Sequence, residues 1–397
     1  MNFQNNTIVH LDLDTFFVSV ERKGNSALIG KPVIIGGLSD RGVVASCSYE
    51  ARRFGVHSAM PMRMALNLCR DATVIRGDMD EYSKQSRLVT DVIADCAPVY
   101  EKASIDEHYI DISGMDRFIG CYKWTHELRS RIIRETGLPI SFGLSVNKTV
   151  SKIATGEAKP NGEKEVPRDF VQPFLNPLPI KKIPGVGDKT RQLLHSMGVF
   201  TIRTLSEIPP EMIQSVLGKS GIDIWNKANG IDLSPVVRYS EEKSISTERT
   251  FETDTIDIQM LERLLIAMVE KIAFRMRKKQ KLASVVTVKI RYSNFDTHTL
   301  QKKIAYTSFD HTLMDTALDL FRRLYERRML IRLIGVKLGG LIGGVQQLDL
   351  FDNNDKMIKL YLSMDKIRMR FGSGAIHRAS GVEKKKVASL SVQSQMS

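Results

Sequence analysis

The sequence predicts a multidomain α+β protein, and three observations lead to that prediction. A chain of 397 residues is too long for one ordinary hydrophobic core. Strand and helix patterns alternate through residue 165, as they do in a domain that mixes both kinds of element. A loop-rich passage over 160–185 then leads into short, glycine-broken helices over 186–236, and β-rich segments begin after residue 243.

The overall composition is that of a soluble globular protein with a basic surface. Hydrophobic residues make up 42% and charged residues 26%, and 58 Lys and Arg against 45 Asp and Glu give a net charge of +13, which favours a polyanionic partner such as nucleic acid. Between residues 243 and 345, 19 basic side chains outnumber 11 acidic ones by 8, so the charge is concentrated as a binding surface requires. The apolar stretch 333–345 is too short to cross a bilayer, and the four spaced cysteines are typical of reduced thiols. We therefore expect a cytoplasmic protein without membrane association.

Hydrophobic patterns predict the individual elements in order. Residues 7–13 alternate and begin with β-branched side chains, which predicts a strand, and Asp14 is placed to cap the helix that follows it. Further helices are predicted at 49–54, 61–69, 81–94, 122–136, 147–158, 259–278 and 312–328, and further strands at 31–37, 42–46, 139–144, 244–252 and 283–293. Beyond Gly344 the polar composition predicts a disordered tail.

Two adjacent carboxylates, Asp106 and Glu107, interrupt a strand-like stretch that reads ASIDEHYIDIS. As the two-residue turn of a hairpin they could both project from one end of a sheet, although a simple polar turn fits this stretch equally well. Asp12 ends a strand of the same domain and adds a third acid. Three carboxylates gathered at strand ends repel one another unless a cation joins them, and magnesium accepts such oxygen ligands together with substrate phosphates. The three acids therefore predict metal-assisted phosphoryl chemistry if they meet in space.

A second group of residues could hold a phosphate. Tyr49 and Arg52 lie three apart on one helix face, and Lys159 ends a helix just before Pro160. Taken singly, each is more simply read as a solvated surface residue. The chain contains no GxxxxGK[ST] phosphate loop.

Two other stretches suggest macromolecular partners. The run IPGVGDKT places Gly185 and Gly187, followed by Lys189, in a bend that resembles one half of a helix-hairpin-helix pair, with SVLGKSGIDIW as the other half. A lone GxG is more often a tight turn.

The apolar QLDLF (Gln347, Leu348, Asp349, Leu350 and Phe351) lies in a polar context and predicts a docking peptide, with a terminal strand as the alternative.

Taken together, these motifs resemble the Y-family translesion DNA polymerases, and most closely their DinB, or DNA polymerase IV, branch. The resemblance extends from about residue 7 to 351 and rests on HLDLDTFFVSVE, VVASCSYEARRFGVHSAMP, ASIDEHYIDI, GLSVNKTVSKIATGEAKPNG, IPGVG and QLDLF. It implies a right-hand arrangement with a C-terminal α/β little finger. The implied parts are a palm over 1–20 and 78–168, fingers over 21–77, a thumb over 169–238, a linker over 239–243, a little finger over 244–343 and a tail over 344–397.

The resemblance also implies roles for individual residues. Asp12, Asp106, Glu107 and the carbonyl of Leu13 would bind two Mg²⁺ ions, and Phe17 would be the steric gate against ribonucleotides. Ser46, Tyr49, Arg52 and Lys159 would hold the incoming dNTP. Gly185, Gly187 and Lys189 would contact primer-template DNA, and QLDLF would dock on the sliding clamp.

The implied activity is template-directed DNA synthesis past damaged bases by a monomer associated with the nucleoid. Two alternatives stay open. The segment MDKIRMRFGSGAIHRAS (364–380) is faintly similar to the UmuC branch, whose members need accessory subunits, and a catalytically silent DNA-binding scaffold would share the fold. A cyclase-like palm enzyme is disfavoured by the helix-hairpin-helix pair and the clamp-like peptide.

Overall fold

The computed structural model describes residues 6–39, 41–115, 120–238, 241–344 and 355–381. The chain divides into two compact units, residues 1–240 and 241–397. The elements of the first unit are β1 (Ile8–Leu13), α1 (Phe16–Gly24), β2 (Val33–Gly36), β3 (Val44–Cys47), α2 (Tyr49–Arg52), α3 (Met62–Leu68), β4 (Thr73–Ile75), α4 (Met79–Cys96), β5 (Val99–Lys102), β6 (Glu107–Asp111), α5 (Cys121–Thr136), β7 (Ile140–Ser145), α6 (Lys148–Ala158), β8 (Glu163–Glu165), α7 (Val171–Leu175), α8 (Asp188–Ser196), α9 (Ile202–Glu207), α10 (Pro210–Leu217) and α11 (Lys219–Ala228).

A five-stranded sheet with the order β5-β6-β1-β7-β8 is the centre of the first unit, and β1 pairs antiparallel with both β6 and β7. Alternation along β1 sends Val9, Leu11 and Leu13 into a core shared with α4 and α5. The opposite face of the sheet is covered by α6. Its close approach requires Gly143, because a Cβ there would lie 2.2 Å from the Ser151 carbonyl oxygen.

Two smaller layers complete this unit. The sheet β3-β2-β4 has its own core, which includes Ile34, Val44 and Met62. Its third strand, β4, is three residues long and was not predicted. The short helices α7 to α11 pack around Leu194, Ile202 and neighbouring apolar side chains.

The second unit is an antiparallel sheet covered by helices. Its elements are β9 (Ser244–Thr255), α12 (Ile258–Lys278), β10 (Lys281–Tyr292), β11 (Thr297–Thr307), α13 (Asp310–Leu324), β12 (Ile331–Gly339), β13 (Ile342–Gly343) and α14 (Asp355–Phe371). The sheet order is β11-β10-β12-β9, and α12 and α13 pack against the sheet around a single core. In the described part of the chain, no helix is long and apolar enough to span a membrane.

The predicted disordered tail is wrong where the structure describes it, because residues 355–371 form α14. Tyr361 and Met364 of this helix are buried against Phe309. Asp365 forms an ion pair with Arg277, 2.7 Å between Oδ2 and Nε. Nine of the 17 residues of the helix are apolar, so its own sequence carries a helical signal. The prediction of disorder followed the polar segments on either side of it, and the groups that bury the helix lie far away in the sequence. The QLDLF segment lies outside the described residues.

Candidate active site

One end of the central sheet brings the three predicted acids together. Asp12 of β1 lies directly opposite Glu107 of β6, so both side chains leave the same face of the sheet. The backbone N–H of Leu13 donates to the carbonyl of Asp106 at 3.1 Å. The hairpin connects as expected, but the predicted two-residue turn is wrong. Glu107 is the first residue of β6, because its carbonyl accepts from the N–H of Ala103 at 3.0 Å and thereby closes a longer turn.

A cavity of about 240 Å³ opens at this end of the sheet. It is lined by seven of the residues singled out from the sequence, together with small or apolar neighbours. The lining residues are Asp12, Leu13, Thr15, Phe16, Phe17, Ala45, Ser46, Arg52, Ser58, Asp106 and Lys159. Glu107 and Tyr49 lie outside this lining. The cavity therefore joins two of the three acids to most of the predicted nucleotide contacts.

Lysines of α6 and its C-terminal cap are paired with carboxylates of the sheet. Lys152 Nζ lies 2.6 Å from each Glu107 oxygen, and Lys159 Nζ lies 2.5 Å from Asp12 Oδ1. These lysines are seven residues apart, about two helical turns, and so project from the same side. Among the described residues, no group of three or more His, Cys, Asp or Glu is close enough to hold a metal ion. The three acids are near one another, but Asp12 and Glu107 are each paired with a lysine ammonium group.

The two facing carboxylates have opposite pKa shifts. Burial raises the pKa of Asp12 to about 6, with the carboxylates of Glu107 and Asp106 adding to the rise and Lys159 opposing it. The pKa of Glu107 is lowered to about 2 by the His10 ring, whose Nε2 lies 3.9 Å from Oε2, and by Lys152. Both groups are therefore mainly ionised at neutral pH, and Asp12 is the one that can hold a proton in mildly acidic solution.

Two carboxylates and one backbone carbonyl nevertheless form a donor set of the type that a hard divalent cation takes. Asp12, Asp106 and Leu13 line the same cavity, and carboxylate and carbonyl oxygens are the ligands that magnesium takes in proteins. The ammonium group of Lys159 already lies against Asp12 and 3.4 Å from the Leu13 carbonyl oxygen. A positive charge is thus favoured at the point where these oxygens meet.

Three of the four predicted phosphate contacts, Ser46, Tyr49 and Arg52, lie in β3 and α2, and Lys159 lies at the end of α6. Ser48 caps the single-turn helix α2 by accepting from the N–H of Ala51 at 3.3 Å. This turn places the Arg52 guanidinium 5.0 Å from the centre of the Tyr49 ring. Burial raises the pKa of Tyr49, so its hydroxyl is a neutral donor. Ser46 of β3 is buried beside them.

Phe17 lies in the first turn of α1, and its ring is braced by a second aromatic ring. It stacks on Tyr82 with 4.3 Å between ring centres and 11° between planes. The hydroxyl of Tyr82 donates to Glu21 Oε1 at 2.6 Å, which fixes the bracing ring. The side chain expected to exclude a ribose hydroxyl therefore has a rigid support.

Sequence reasoning missed two residues of this site. Asp14 does not cap α1: the cap position is Thr15, in the left-handed region at φ 42° and ψ 48°, and the Asp14 carboxylate is buried and hydrogen-bonded elsewhere. Lys152 was not singled out. Both had a usable signal, since Asp12 and Asp14 share a strand-like DxD spacing and Lys152 is two turns from Lys159.

The predicted DNA contacts of the helical layer lie at a helix start. Gly185 adopts φ +102°, where glycine is favoured, and Gly187 is the residue before α8. Lys189 follows in the first turn of that helix. A second glycine, Gly218 at φ 62°, precedes α11 in the same way. None of these residues lines the 240 Å³ cavity.

Comparisons with known proteins agree with this architecture. The impB/mucB/samB family matches residues 11–156, the IMS family HHH motif matches 168–199, and the impB/mucB/samB family C-terminal domain matches 242–350. A protein of Dehalococcoides mccartyi named DNA polymerase IV is 40% identical over 373 residues, which are 93% of this chain and 96% of that protein. One of Treponema denticola with the same name is 34% identical over 383 residues, 95% and 97% of the two chains.

Solved structures give the same result. A chimera of the Y-family DNA polymerases Dbh and Dpo4 has a TM-score of 0.75 at 26% identity, covering 85% of this chain and 100% of its own. DinB from Sulfolobus solfataricus has a TM-score of 0.59 at 26% identity with the same coverage. Fold, site and relatives together define a DNA-directed DNA polymerase. The chain belongs to the Y-family of these enzymes and, within it, to the DinB or DNA polymerase IV branch.

Proposed function

We propose that this polymerase extends a primer on a DNA template by metal-dependent nucleotidyl transfer and is specialised for synthesis past damaged bases. One observation carries the proposal. A single cavity is lined by two acids, Asp12 and Asp106, by the candidate gate Phe17 and by two cationic side chains, Arg52 and Lys159. Acids for a metal and cations for a triphosphate are the two requirements of phosphoryl transfer.

In this mechanism the acids act as ligands, and the cations neutralise the charge of the triphosphate. Asp12, Asp106, Glu107 and the Leu13 carbonyl would hold two Mg²⁺ ions, which when bound supply charge neutralisation and a lower pKa for the primer 3′-hydroxyl. Arg52 and Lys159, with the hydroxyls of Tyr49 and Ser46, bind the phosphates of the dNTP. Lys159 would exchange its carboxylate partner for a phosphate.

Small side chains beside the cavity favour tolerance of damaged bases. Ala45, Ser46 and Ser58 line it on the fingers side, where bulkier residues would narrow the space around the nascent base pair. The Phe17 ring, in contrast, is fixed and would fill the space of a ribose 2′-hydroxyl. The site is thus open toward the base and closed toward the sugar.

DNA binding would involve the helical layer and the second unit. Gly185, Gly187 and Lys189 present backbone N–H groups and a cation at the start of α8, and residues 243–345 carry an excess of 8 basic side chains. Such contacts go to the phosphate backbone and are independent of sequence. The enzyme would act as a monomer on DNA in the cytoplasm.

We expect the clamp peptide to be separable from catalysis. Deleting Gln347 to Phe351 should abolish stimulation by a sliding clamp and leave synthesis without the clamp unchanged, because these residues lie outside the catalytic unit. Primer extension with and without the clamp measures both quantities. Loss of both would assign the peptide a structural role.

Primer extension with magnesium on undamaged and lesion-bearing templates tests the proposal. Asp106→Ala should reduce incorporation at least about a thousandfold on both, because it removes several kcal/mol of metal-based stabilisation. The matched control is Asp91→Ala, which removes an exposed carboxylate of α4 in the same domain and should leave the rate unchanged. Full synthesis by Asp106→Ala would refute the assignment. Wild-type synthesis that always stops at lesions would refute the specialisation.

A further inference from the structure

We propose that Asp14 is a positioning residue that holds Tyr49 and Lys159 in place for the incoming triphosphate. The proposal deepens the function given above and rests on it, since Tyr49 and Lys159 are the proposed phosphate contacts. Asp14 is not among the proposed metal ligands and does not line the cavity. Its carboxylate lies one layer behind the cavity, where the end of β1, the strand β7, the helix α2 and the loop after α6 meet.

The Asp14 carboxylate is buried and fully engaged. Only 2% of the residue is exposed. The Ser141 hydroxyl reaches both oxygens, at 3.0 and 2.9 Å, and the backbone N–H of Asn161 donates to Oδ2 at 2.6 Å. A buried carboxylate of this kind is stable only with such donors, so the surrounding groups fix its orientation.

Both proposed phosphate contacts converge on this carboxylate. The Tyr49 hydroxyl lies 3.4 Å from Oδ1, and Lys159 Nζ lies 3.7 Å from the same oxygen. These two residues come from different parts of the chain, the fingers helix α2 and the end of α6. One carboxylate oxygen therefore aligns a hydroxyl and an ammonium group that would otherwise be independent.

The same carboxylate secures the loop that carries Lys159. Asn161 adopts φ 50°, in the left-handed region that asparagine tolerates better than most residues, and donates its N–H to Asp14. Gly162 donates to the Ser141 hydroxyl at 3.1 Å, and a Cβ at Gly162 would lie only 1.9 Å from the Ala158 carbonyl oxygen. The loop is thus held close to β7 by Asp14 and Ser141 acting together.

On the other side of this loop, Arg129 donates to both the carbonyl and the side-chain oxygen of Asn161, at 2.9 and 2.6 Å. Asn161 is therefore held from two directions, by the guanidinium of Arg129 and by the carboxylate of Asp14. Without Asp14, Arg129 would still contact Asn161, whereas Asp14 is the one of these two residues that also reaches Tyr49 and Lys159. Replacing the Asp14 carboxylate should therefore disturb nucleotide binding more than folding.

The test is single-turnover incorporation of a dNTP by the full-length enzyme on primer-template DNA. Asp14→Asn keeps the shape of the side chain but removes the charge and one acceptor oxygen. We expect the apparent Kd for dNTP to rise about tenfold, with a smaller change in the maximal rate and unchanged DNA affinity. Ser141→Ala, which leaves the aspartate in place, should raise the same Kd about threefold. Asp111→Asn, at the other end of the sheet, is the control and should leave the Kd for dNTP and the maximal rate unchanged.

A double-mutant cycle separates positioning from other roles. In the Tyr49→Phe/Lys159→Ala background, Asp14→Asn should add less than about a twofold further rise in the Kd, because its two targets are gone. An undiminished tenfold rise there, or an unchanged Kd in both Asp14→Asn and Ser141→Ala, would overturn the proposal. If Tyr49→Phe and Lys159→Ala themselves leave the Kd unchanged, the phosphate assignment of the proposed function fails, and the positioning role fails with it.

Discussion

At the scale of single residues, we expect discrimination between sugars to depend on how firmly the Phe17 ring is held. Phe17→Ala should reduce the preference for dNTPs over rNTPs about 10- to 100-fold, because it opens the space of a 2′-hydroxyl. Tyr82→Leu should have the same effect to a smaller extent, because the Phe17 ring loses its stacked partner. Tyr82→Phe keeps the ring and should retain the preference. The ratio of kcat/KM for a dNTP and the matching rNTP measures this preference. An unchanged ratio in Phe17→Ala would show that Phe17 is not the steric gate.

We expect the ionisation of Asp12 to make metal binding depend on pH. Its pKa is raised to about 6, so a proton competes with Mg²⁺ below that pH and is absent well above it. We expect the Mg²⁺ concentration for half-maximal activity to rise as the pH falls through about 6, by up to about tenfold per pH unit, and to be flat above about pH 7.5. Glu107, with a pKa of about 2, contributes nothing in this window. Titrating the activity with Mg²⁺ at several pH values measures this concentration. A half-maximal Mg²⁺ concentration that stays constant from about pH 5.5 upward would contradict the prediction.

At the scale of elements, α14 is attached to the second unit by buried charge. Arg277 of α12 donates from Nη1 to Asp310 at 2.5 Å and from Nε to Asp365 of α14 at 2.7 Å. Arg277→Met removes the cation that bridges these two buried carboxylates and should cost about 3 kcal/mol of stability in this unit. Lys279→Met, two residues further on and half-exposed beside Glu242, should cost less than about 1 kcal/mol.

Urea unfolding measures the stability of both variants, and limited proteolysis measures how easily the C-terminal segment is cleaved. We expect earlier cleavage within 355–381 in Arg277→Met only. Equal stability of the two variants would show that α14 is not attached through this network.

Elements with a strong local pattern could be predicted from the sequence, and those that depend on distant partners could not. The strand β1 and the helices α4, α5, α6 and α12 follow their apolar periodicity. Asp14 looked like a helix cap because its type and position fit one, but the carboxylate has stronger donors in Ser141 and Asn161. The tail was predicted as disordered because α14 is stabilised by Phe309 and Arg277, neither of which is near it in sequence.

At the scale of the whole molecule, the candidate site is a product of long-range pairing. Lys159 and Asp12 are 147 residues apart, and Lys152 and Glu107 are 45 residues apart. The resemblance to a family predicts the site residues, but the register of β1 against β6 decides that Asp12 and Glu107 share a face. Neither the lysine partners nor the divergent pKa values of these acids follow from spacing. They required the packing of α6 on the sheet, which Gly143 permits.

Direct measurement of metal binding tests the central claim, that the acids at the end of β1 and β6 hold the catalytic cations. The probe is Mn²⁺ followed by electron paramagnetic resonance, with the full-length enzyme on primer-template DNA and a non-hydrolysable dNTP analogue. We expect two bound Mn²⁺ ions for the wild type and for Asp91→Ala. Asp12→Asn and Asp106→Asn should each lose at least one ion or weaken its binding more than about tenfold. The same number of ions bound with the same affinity in both variants would contradict the claim.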